Sequence, residues 1–202
     1  MKIGVIGFQG AVNEHITATE RAMRELGLSG EAIWLKDDAQ LSEVDGLIIP
    51  GGESTTIGRL ISNAGIFEKI QEMGKSGVPI LGTCAGLILL AKEGGEEIKE
   101  TKQPLLKLMD MKVIRNAFGR QKESFETDLE VPAFGEKPFP GIFIRAPAIE
   151  EVWGNVRTLA KSKGKIVAAE QENLLAMAFH PELTSDTRTH QYYLEKVERN
   201  TS

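Results

Sequence analysis

The first half of the chain alternates short apolar runs with longer segments whose apolar residues recur at helical spacing. Lys2 to Ile6 is the first run and closes at Gly7. From Ala11 to Leu26 the apolar residues at 12, 16, 22, 23 and 26 are separated by charges, which predicts an amphipathic helix. Ala32 to Leu35 and Gly46 to Ile49 predict two more strands, the second running into Pro50-Gly51-Gly52. Thr55 to Ile61 and Ile66 to Met73 read as helices, Val78 to Leu81 as a fourth strand, and Ala85 to Lys92 as the helix after it. Strands alternating with helices imply parallel βαβ units, and short continuous apolar strands imply a sheet covered on both faces.

The second half changes character. Met111 to Ile114, Phe125 to Val131, Gly141 to Ile144, Val156 to Ala160, Lys165 to Ala169 and Leu174 to Phe179 are all strand-like, with Lys163-Gly164 as a hairpin turn. Only Ser185 to Arg199 is clearly helical again, with Ser185 as the expected N-cap and Asp186 favourably placed in the first turn. The polar segment 93–104 (EGGEEIKETKQP) is expected to be a surface excursion. The expected fold is α/β: a mostly parallel central sheet flanked by helices on both faces, with additional antiparallel strands in the second half. The expected organisation is a single domain over residues 1–202.

Composition narrows the function. A chain of 202 residues buries about 70% of its unfolded surface, so it needs no covalent staple. Its apolar content of 41% and charged content of 26% are ordinary for a globule. A net charge of −5 lacks the basic footprint of a nucleic-acid binder. A single cysteine excludes an intrachain disulfide and, with three scattered histidines, argues against a zinc site. The N-terminal segment turns polar after Phe8, unlike the apolar region of a signal peptide. The longest apolar stretch, Val78 to Ala91, falls short of the ~18 residues of a membrane span. The expectation is a cytoplasmic protein without metal or cofactor.

The single cysteine lies in Gly82-Thr83-Cys84-Ala85-Gly86, between a predicted strand and a predicted helix. G-x-C-x-G there is the thiol version of the nucleophile elbow, a sharp turn that flanking glycines permit. It lifts Cys84 above the strand ends and sets it at a helix N-terminus, which favours the thiolate. The Ala85 N–H then faces the position of an oxyanion. The plainer alternative is a buried structural cysteine; the paired glycines and the strand-to-helix context favour the nucleophile.

A thiolate nucleophile also needs a base. His15 and His190 sit among polar neighbours in the first and last helices and read as solvated. His180 ends the apolar run LLAMAFHPE, at the sheet edge where open α/β folds place their sites. Glu182 follows at i+2, on the same side of an extended chain and roughly 6.5 to 7 Å away at Cα. Pro181 stiffens the pair. Cys84 would attack, His180 carry the proton, and Glu182 orient the imidazole. The turn Pro50-Gly51-Gly52-Glu53-Ser54 lets backbone N–H groups converge, so Gly52 and Ala85 can form an oxyanion hole. A phosphate loop is the rival reading of that turn, but its lysine is absent and Gly4, Gly7 and Gly10 do not spell a dinucleotide fingerprint.

The elbow GTCAG and the HPE pair resemble the class I, triad-type glutamine amidotransferases. Six stretches are similar to the branch of glutaminase subunits that serve pyridoxal 5′-phosphate synthases: IGVIGFQGAVNEH (3–15), DGLIIPGGESTTIGRL (45–60), GTCAGLILLAKE (82–93), RNAFGRQKESFE (115–126), FIRAP (143–147) and FHPELT (179–184). The resemblance implies a triad of Cys84, His180 and Glu182. It implies L-glutamine contacts from Gly52, Glu53, Ser54, Arg115, Ile144 and Arg145. An arginine suits the α-carboxylate of glutamine and an acid such as Glu53 its α-ammonium. Gln9 would support the oxyanion loop or an interface. The resemblance further implies a (βα)8-barrel synthase subunit in a hetero-oligomer, to which ammonia passes internally, and a glutaminase that is slow alone. Lys107 departs from the pattern, standing where a glycine is expected. The glutaminase subunit of imidazole glycerol phosphate synthase shares elbow and HPE, but GGESTT, RNAFGRQ and FIRAP together point away from it. The rival of another class is a non-catalytic binding module, which any glutamine hydrolysis would exclude.

Overall fold

The computed structural model describes residues 1–119 and 124–201; Arg120 and Gln121 of the RNAFGRQ stretch lie outside them. The first half runs β1 (Lys2–Ile6), α1 (Val12–Leu26), β2 (Glu31–Leu35), α2 (Asp38–Leu41), β3 (Gly46–Ile49), α3 (Ser54–Asn63), α4 (Phe67–Lys75), β4 (Ile80–Thr83) and α5 (Ala85–Leu90). Then follow β5 (Ala91–Gly94), α6 (Glu96–Glu100), β6 (Met109–Ile114), β7 (Ser124–Leu129), β8 (Phe139–Ile144), β9 (Ala148–Val152), β10 (Arg157–Ser162), β11 (Lys165–Gln171), β12 (Leu174–Met177) and α7 (Arg188–Thr201).

The strands pair in the order β2-β1-β3-β4-β12-β11-β9-β6-β5, with β10 added to β11. From β2 to β12 every pairing is parallel. Beyond β12 the pairings of β11, β10, β9 and β6 are antiparallel, and β5 returns parallel to β6. β7 and β8 form a separate antiparallel ribbon. Every residue of β3, β4 and β12 is buried. Successive side chains point to opposite faces, so both faces of this part of the sheet are covered. α1 packs on α7 and on β1 and β2, while α5 packs on α3, β3, β4 and β12. α1 ends at Gly27, whose left-handed φ of 69° lets its N–H reach the carbonyls of Arg24 and Met23.

Several boundaries differ from expectation for local reasons. The fourth strand begins at Ile80 rather than Val78 because the Val78 N–H still serves Met73 at the end of α4. The expected helix to Lys92 stops at Leu90, and Ala91 turns extended to pair with Met109. β9 has no clean alternation to announce it: its burial runs two buried, then three outer residues. The last helix begins at Arg188, and Asp186 rather than Ser185 takes its first N–H. The 93–104 segment is not a free excursion: α6 buries Ile98, and Gln103 accepts a hydrogen bond from Ser54 Oγ at 3.0 Å. Lys107 has a φ of 55°, the left-handed backbone that accounts for a glycine being expected there. No helix among the described residues is long and apolar enough to cross a membrane.

The β7–β8 ribbon is anchored by aromatic packing. Phe125 stacks on Phe143 with ring centres 4.6 Å apart, and Phe143 meets Phe179 edge-on at 5.8 Å. Phe179 directly precedes His180, whose backbone N–H donates to Ile142 O at 2.8 Å. The ribbon therefore sets the position of the histidine as well as that of the end of β8, Ile144, and of Arg145 after it.

Candidate active site

Three neighbouring parallel strands, β3, β4 and β12, bring the candidate site residues together at their carboxyl ends. β3 leads into Pro50-Gly51-Gly52, β4 into Cys84, and β12 into His180. Cys84 adopts φ 48° and ψ −99°, a conformation that costs a non-glycine residue roughly 1–3 kcal/mol. Its N–H donates to Met177 O at 2.7 Å, tying the elbow to the end of β12. The flanking glycines are sterically required. A Cβ at Gly82 would lie 2.6 Å from the Gly86 carbonyl, and one at Gly86 would lie 2.1 Å from Ile49 O. Ala85 opens α5, so its N–H has no partner within the helix.

His180 Nδ1 and Glu182 Oε1 are 2.7 Å apart, and both side chains are buried. Nδ1 carries the proton shared with the carboxylate, which leaves Nε2 for the Cys84 thiol. The pair does not meet along an extended chain, as the i, i+2 spacing suggests. It meets across a single 3₁₀ turn, Pro181–Leu183, that His180 leads into. Burial alone would lower the affinity of His180 for its proton. The hydrogen bond to the Glu182 carboxylate and the neighbouring Cys84 outweigh it and hold the imidazole well above the ordinary histidine range. Burial likewise opposes the charge on Glu182, yet the facing His15 ring and the His180 hydrogen bond hold its carboxyl well below the usual range.

His15 and His190 are not solvated, contrary to the expectation from their neighbours. Both are fully buried. His15 Nε2 lies 3.0 Å from Thr83 Oγ1 and 3.3 Å from Glu182 Oε2, and its Nδ1 lies 3.1 Å from His190 Nε2. A signal was available: Val12, His15, Thr19 and Ala22 form one buried stripe at helical spacing on α1.

In front of the thiol lies a cavity of about 170 Å³. Gly52, Glu53, Ser54, Cys84, Ala85, Arg115, Ile144, Arg145 and His180 all line it. Glu182 stands behind the imidazole and does not. Ile88, Glu97, Asn116 and Pro147 also line it and were not singled out from the sequence.

The Glu53 carboxylate is already engaged. It caps α3, accepting from the backbone N–H and hydroxyl of both Thr55 and Thr56, and it pairs with Arg115 at 3.0 Å. Burial opposes its charge, but these bonds to Thr56 and Thr55 hold its carboxyl at about 2. Arg115 also reaches Thr55 Oγ1 at 3.3 Å and Glu97 at 3.8 Å. Arg145 is exposed at a positive φ of 47° and, among the described residues, makes no ion pair. The Ser54 hydroxyl turns away to Gln103. Gln9 Oε1 accepts the Glu53 N–H at 3.2 Å, so it braces the loop that carries Gly52.

Comparison with known proteins gives the site its context. The description "SNO glutamine amidotransferase family" matches residues 5–199. A pyridoxal 5′-phosphate synthase subunit PdxT from Methanosarcina barkeri is 55% identical over 200 residues, covering 99% of this chain and 100% of that one. A protein of the same description from Pyrococcus furiosus is 52% identical over 198 residues, covering 98% of this chain and 99% of that one. A solved crystal structure of a glutamine amidotransferase superposes with a TM-score of 0.85 at 42% identity, over 97% of this chain and 98% of that one. A glutamine amidotransferase from Thermotoga maritima shares the fold, with a TM-score of 0.61 at 16% identity, over 100% of this chain and 85% of that one.

Proposed function

The chain belongs to the SNO glutamine amidotransferase family, and on that premise we propose that Cys84, His180 and Glu182 hydrolyse L-glutamine to glutamate and ammonia for a pyridoxal 5′-phosphate synthase. It is a glutamine amidotransferase of vitamin B6 biosynthesis, similar over its full length to subunits of that synthase. The observation that carries the mechanism is the His180 imidazole bonded to the Glu182 carboxylate at 2.7 Å and lining one cavity with Cys84.

Each step follows from that geometry. His180 Nε2 takes the Cys84 proton, the resulting thiolate attacks the amide carbon of glutamine, and the C=O π pair moves onto oxygen. The Gly52 and Ala85 N–H groups receive that oxyanion, each worth about 3–4 kcal/mol in the transition state. The His180 imidazolium gives its Nε2 proton to the departing nitrogen as the C–N bond breaks, releasing ammonia and leaving a glutamyl thioester. Neutral His180 then takes a proton from water, the resulting hydroxide attacks the thioester carbon, the C–S bond breaks to free glutamate, and Cys84 is left as thiolate beside the His180 imidazolium. Glu182 keeps the imidazole oriented and supports its charge through both halves.

Substrate placement divides between the two arginines. Arg145 is open to the cavity and takes the α-carboxylate. Arg115 is bound into the Glu53–Glu97 network, which holds Glu53 where it can receive the α-ammonium. Glu53 also fixes the Gly52–Ser54 loop.

The partner is a (βα)8-barrel synthase subunit that docks near the strand ends and takes up ammonia without its release to solvent. The setting is the cytoplasm, and the chain acts as one glutaminase domain. The test is ammonia release from L-glutamine by the wild-type chain and by Cys84→Ala, each with the synthase subunit. Turnover by the wild type and none by the variant is expected; equal turnover would overturn the mechanism.

A further inference from the structure

We propose that His15 is a positioning residue of the triad: its Nε2–H holds Glu182 Oε2, and His190 fixes the tautomer that makes this possible. The proposal rests on the reading of Cys84, His180 and Glu182 as the triad. Glu182 uses Oε1 for His180. Its Oε2 is buried and has no hydrogen-bond partner of its own. Facing it at 3.3 Å is His15 Nε2, which is also 3.0 Å from Thr83 Oγ1. One ring N–H therefore stands between the triad carboxylate and the residue that precedes the nucleophile. The ring joins α1 to the loop after β12 and to the end of β4.

The tautomer follows from what lies behind the ring. His15 Nδ1 and His190 Nε2 are 3.1 Å apart, so one of them donates and the other accepts. Burial lowers the proton affinity of both rings and favours their neutral forms. Suppose His15 Nδ1 were the donor. His15 Nε2 would then accept from the Thr83 hydroxyl, with its lone pair also turned toward the carboxylate. His190 Nδ1, which is buried without a partner, would carry an N–H with nothing to receive it. Both are costly, because orphaned buried N–H groups are rare and a lone pair facing an anion is repelled. In the opposite arrangement His190 Nε2–H donates to His15 Nδ1, His15 Nε2–H faces Glu182, and only an acceptor is left unfilled. The charged and titratable groups around the two rings are Glu14 and Arg21 from α1 and His180 and Glu182 from the loop after β12. β4 contributes the Thr83 hydroxyl.

The experiment combines kinetics and spectroscopy on the chain with its synthase subunit. His15→Phe keeps the ring's bulk and removes the N–H. It is expected to lower kcat for glutamine hydrolysis about 10–100-fold, as loss of an outer partner to an active-site group does, with KM little changed. It is also expected to move the acid limb of the kcat profile to higher pH, because an unsupported buried carboxylate takes a proton more readily. His15→Gln restores a donor and is expected to recover part of the rate and return the limb. A packing role alone would lower stability and leave the limb in place. In the wild type, 15N NMR of the histidine rings is expected to show His15 neutral with its proton on Nε2. A proton on Nδ1, or a His15→Phe enzyme with full kcat and an unmoved limb, would overturn the proposal. If the wild type released no ammonia, the triad reading would fall, while the ring spectrum would still decide the His15 tautomer.

Discussion

A methyl group on Gly51 would lie 2.4 Å from Cε1 of His180 and 3.0 Å from its Nδ1. The loop after β3 closes on the imidazole at a distance that only glycine permits, and the same atom would be 3.3 Å from the Cys84 Cβ. Gly51→Ala is therefore expected to push the ring off the line between thiol and carboxylate. A displacement near 1 Å costs about 100-fold in rate. Steady-state ammonia release, with circular dichroism as the check on folding, measures it. A variant with wild-type turnover would show that the loop yields instead of the ring.

The triad variants are ordered by what each removes. Cys84→Ala loses the bond-forming atom and is expected to fall to background. His180→Asn should be nearly as damaging, because members of such a set act as a unit. Glu182→Gln keeps an oxygen for His180 Nδ1–H but drops the charge, so it should be milder. Rates for all three with saturating glutamine decide the order; a Glu182→Gln enzyme slower than His180→Asn would contradict the assigned roles.

Glu53 gives a stability prediction with a definite pH sense. Its folded carboxyl sits at about 2, below the ordinary 4.5. A depressed carboxyl contributes stability that is present above the unfolded value and is lost as pH falls toward the folded one. Removing this α3 cap by Glu53→Ala is expected to cost about 1 kcal/mol at pH 7. The gap from wild type should narrow between about pH 4.5 and 2. Urea unfolding at pH 7 and near pH 3 tests it; a gap independent of pH would mean that the carboxylate charge does not serve the cap.

Docking should raise turnover through the same loop. Gly52 has a φ of 152°, and a Cβ on Gly10 would lie 1.8 Å from Gly51 O. Adjacent glycines give such a backbone more than one conformation at low cost. A synthase subunit that binds only the form with its donor facing the oxyanion shifts the population. A tenfold gain needs only about 1.4 kcal/mol of differential binding. Ammonia release with and without the synthase subunit is the measurement. Equal rates with a complex shown to form would refute the gating and leave the triad intact.

Local pattern carried the reading where local forces decide. β1, β3 and α1 follow from apolar runs and helical spacing, and the elbow follows from glycines whose absent side chains the turn demands. Distant contacts decide the rest. The environment of His15 comes from Thr83 and His190, separated from it by 68 and 175 residues. The polar neighbours that made it look solvated lie on the other face of its own helix. α5 gives way to β5 inside an unbroken apolar stretch because Ala91 finds a strand partner in Met109. Glu53, which lines the cavity, also caps α3 through Thr55 and Thr56. The sequence shows the carboxylate there and not its commitments.

The most direct test of the central claim is formation of pyridoxal 5′-phosphate by the chain together with its synthase subunit, supplied with either L-glutamine or an ammonium salt. The account predicts that the wild type supports synthesis from both sources, and that Cys84→Ala supports it from ammonium alone. Glutamine-driven synthesis by Cys84→Ala at the wild-type rate, or a wild type that works only with ammonium, would contradict it.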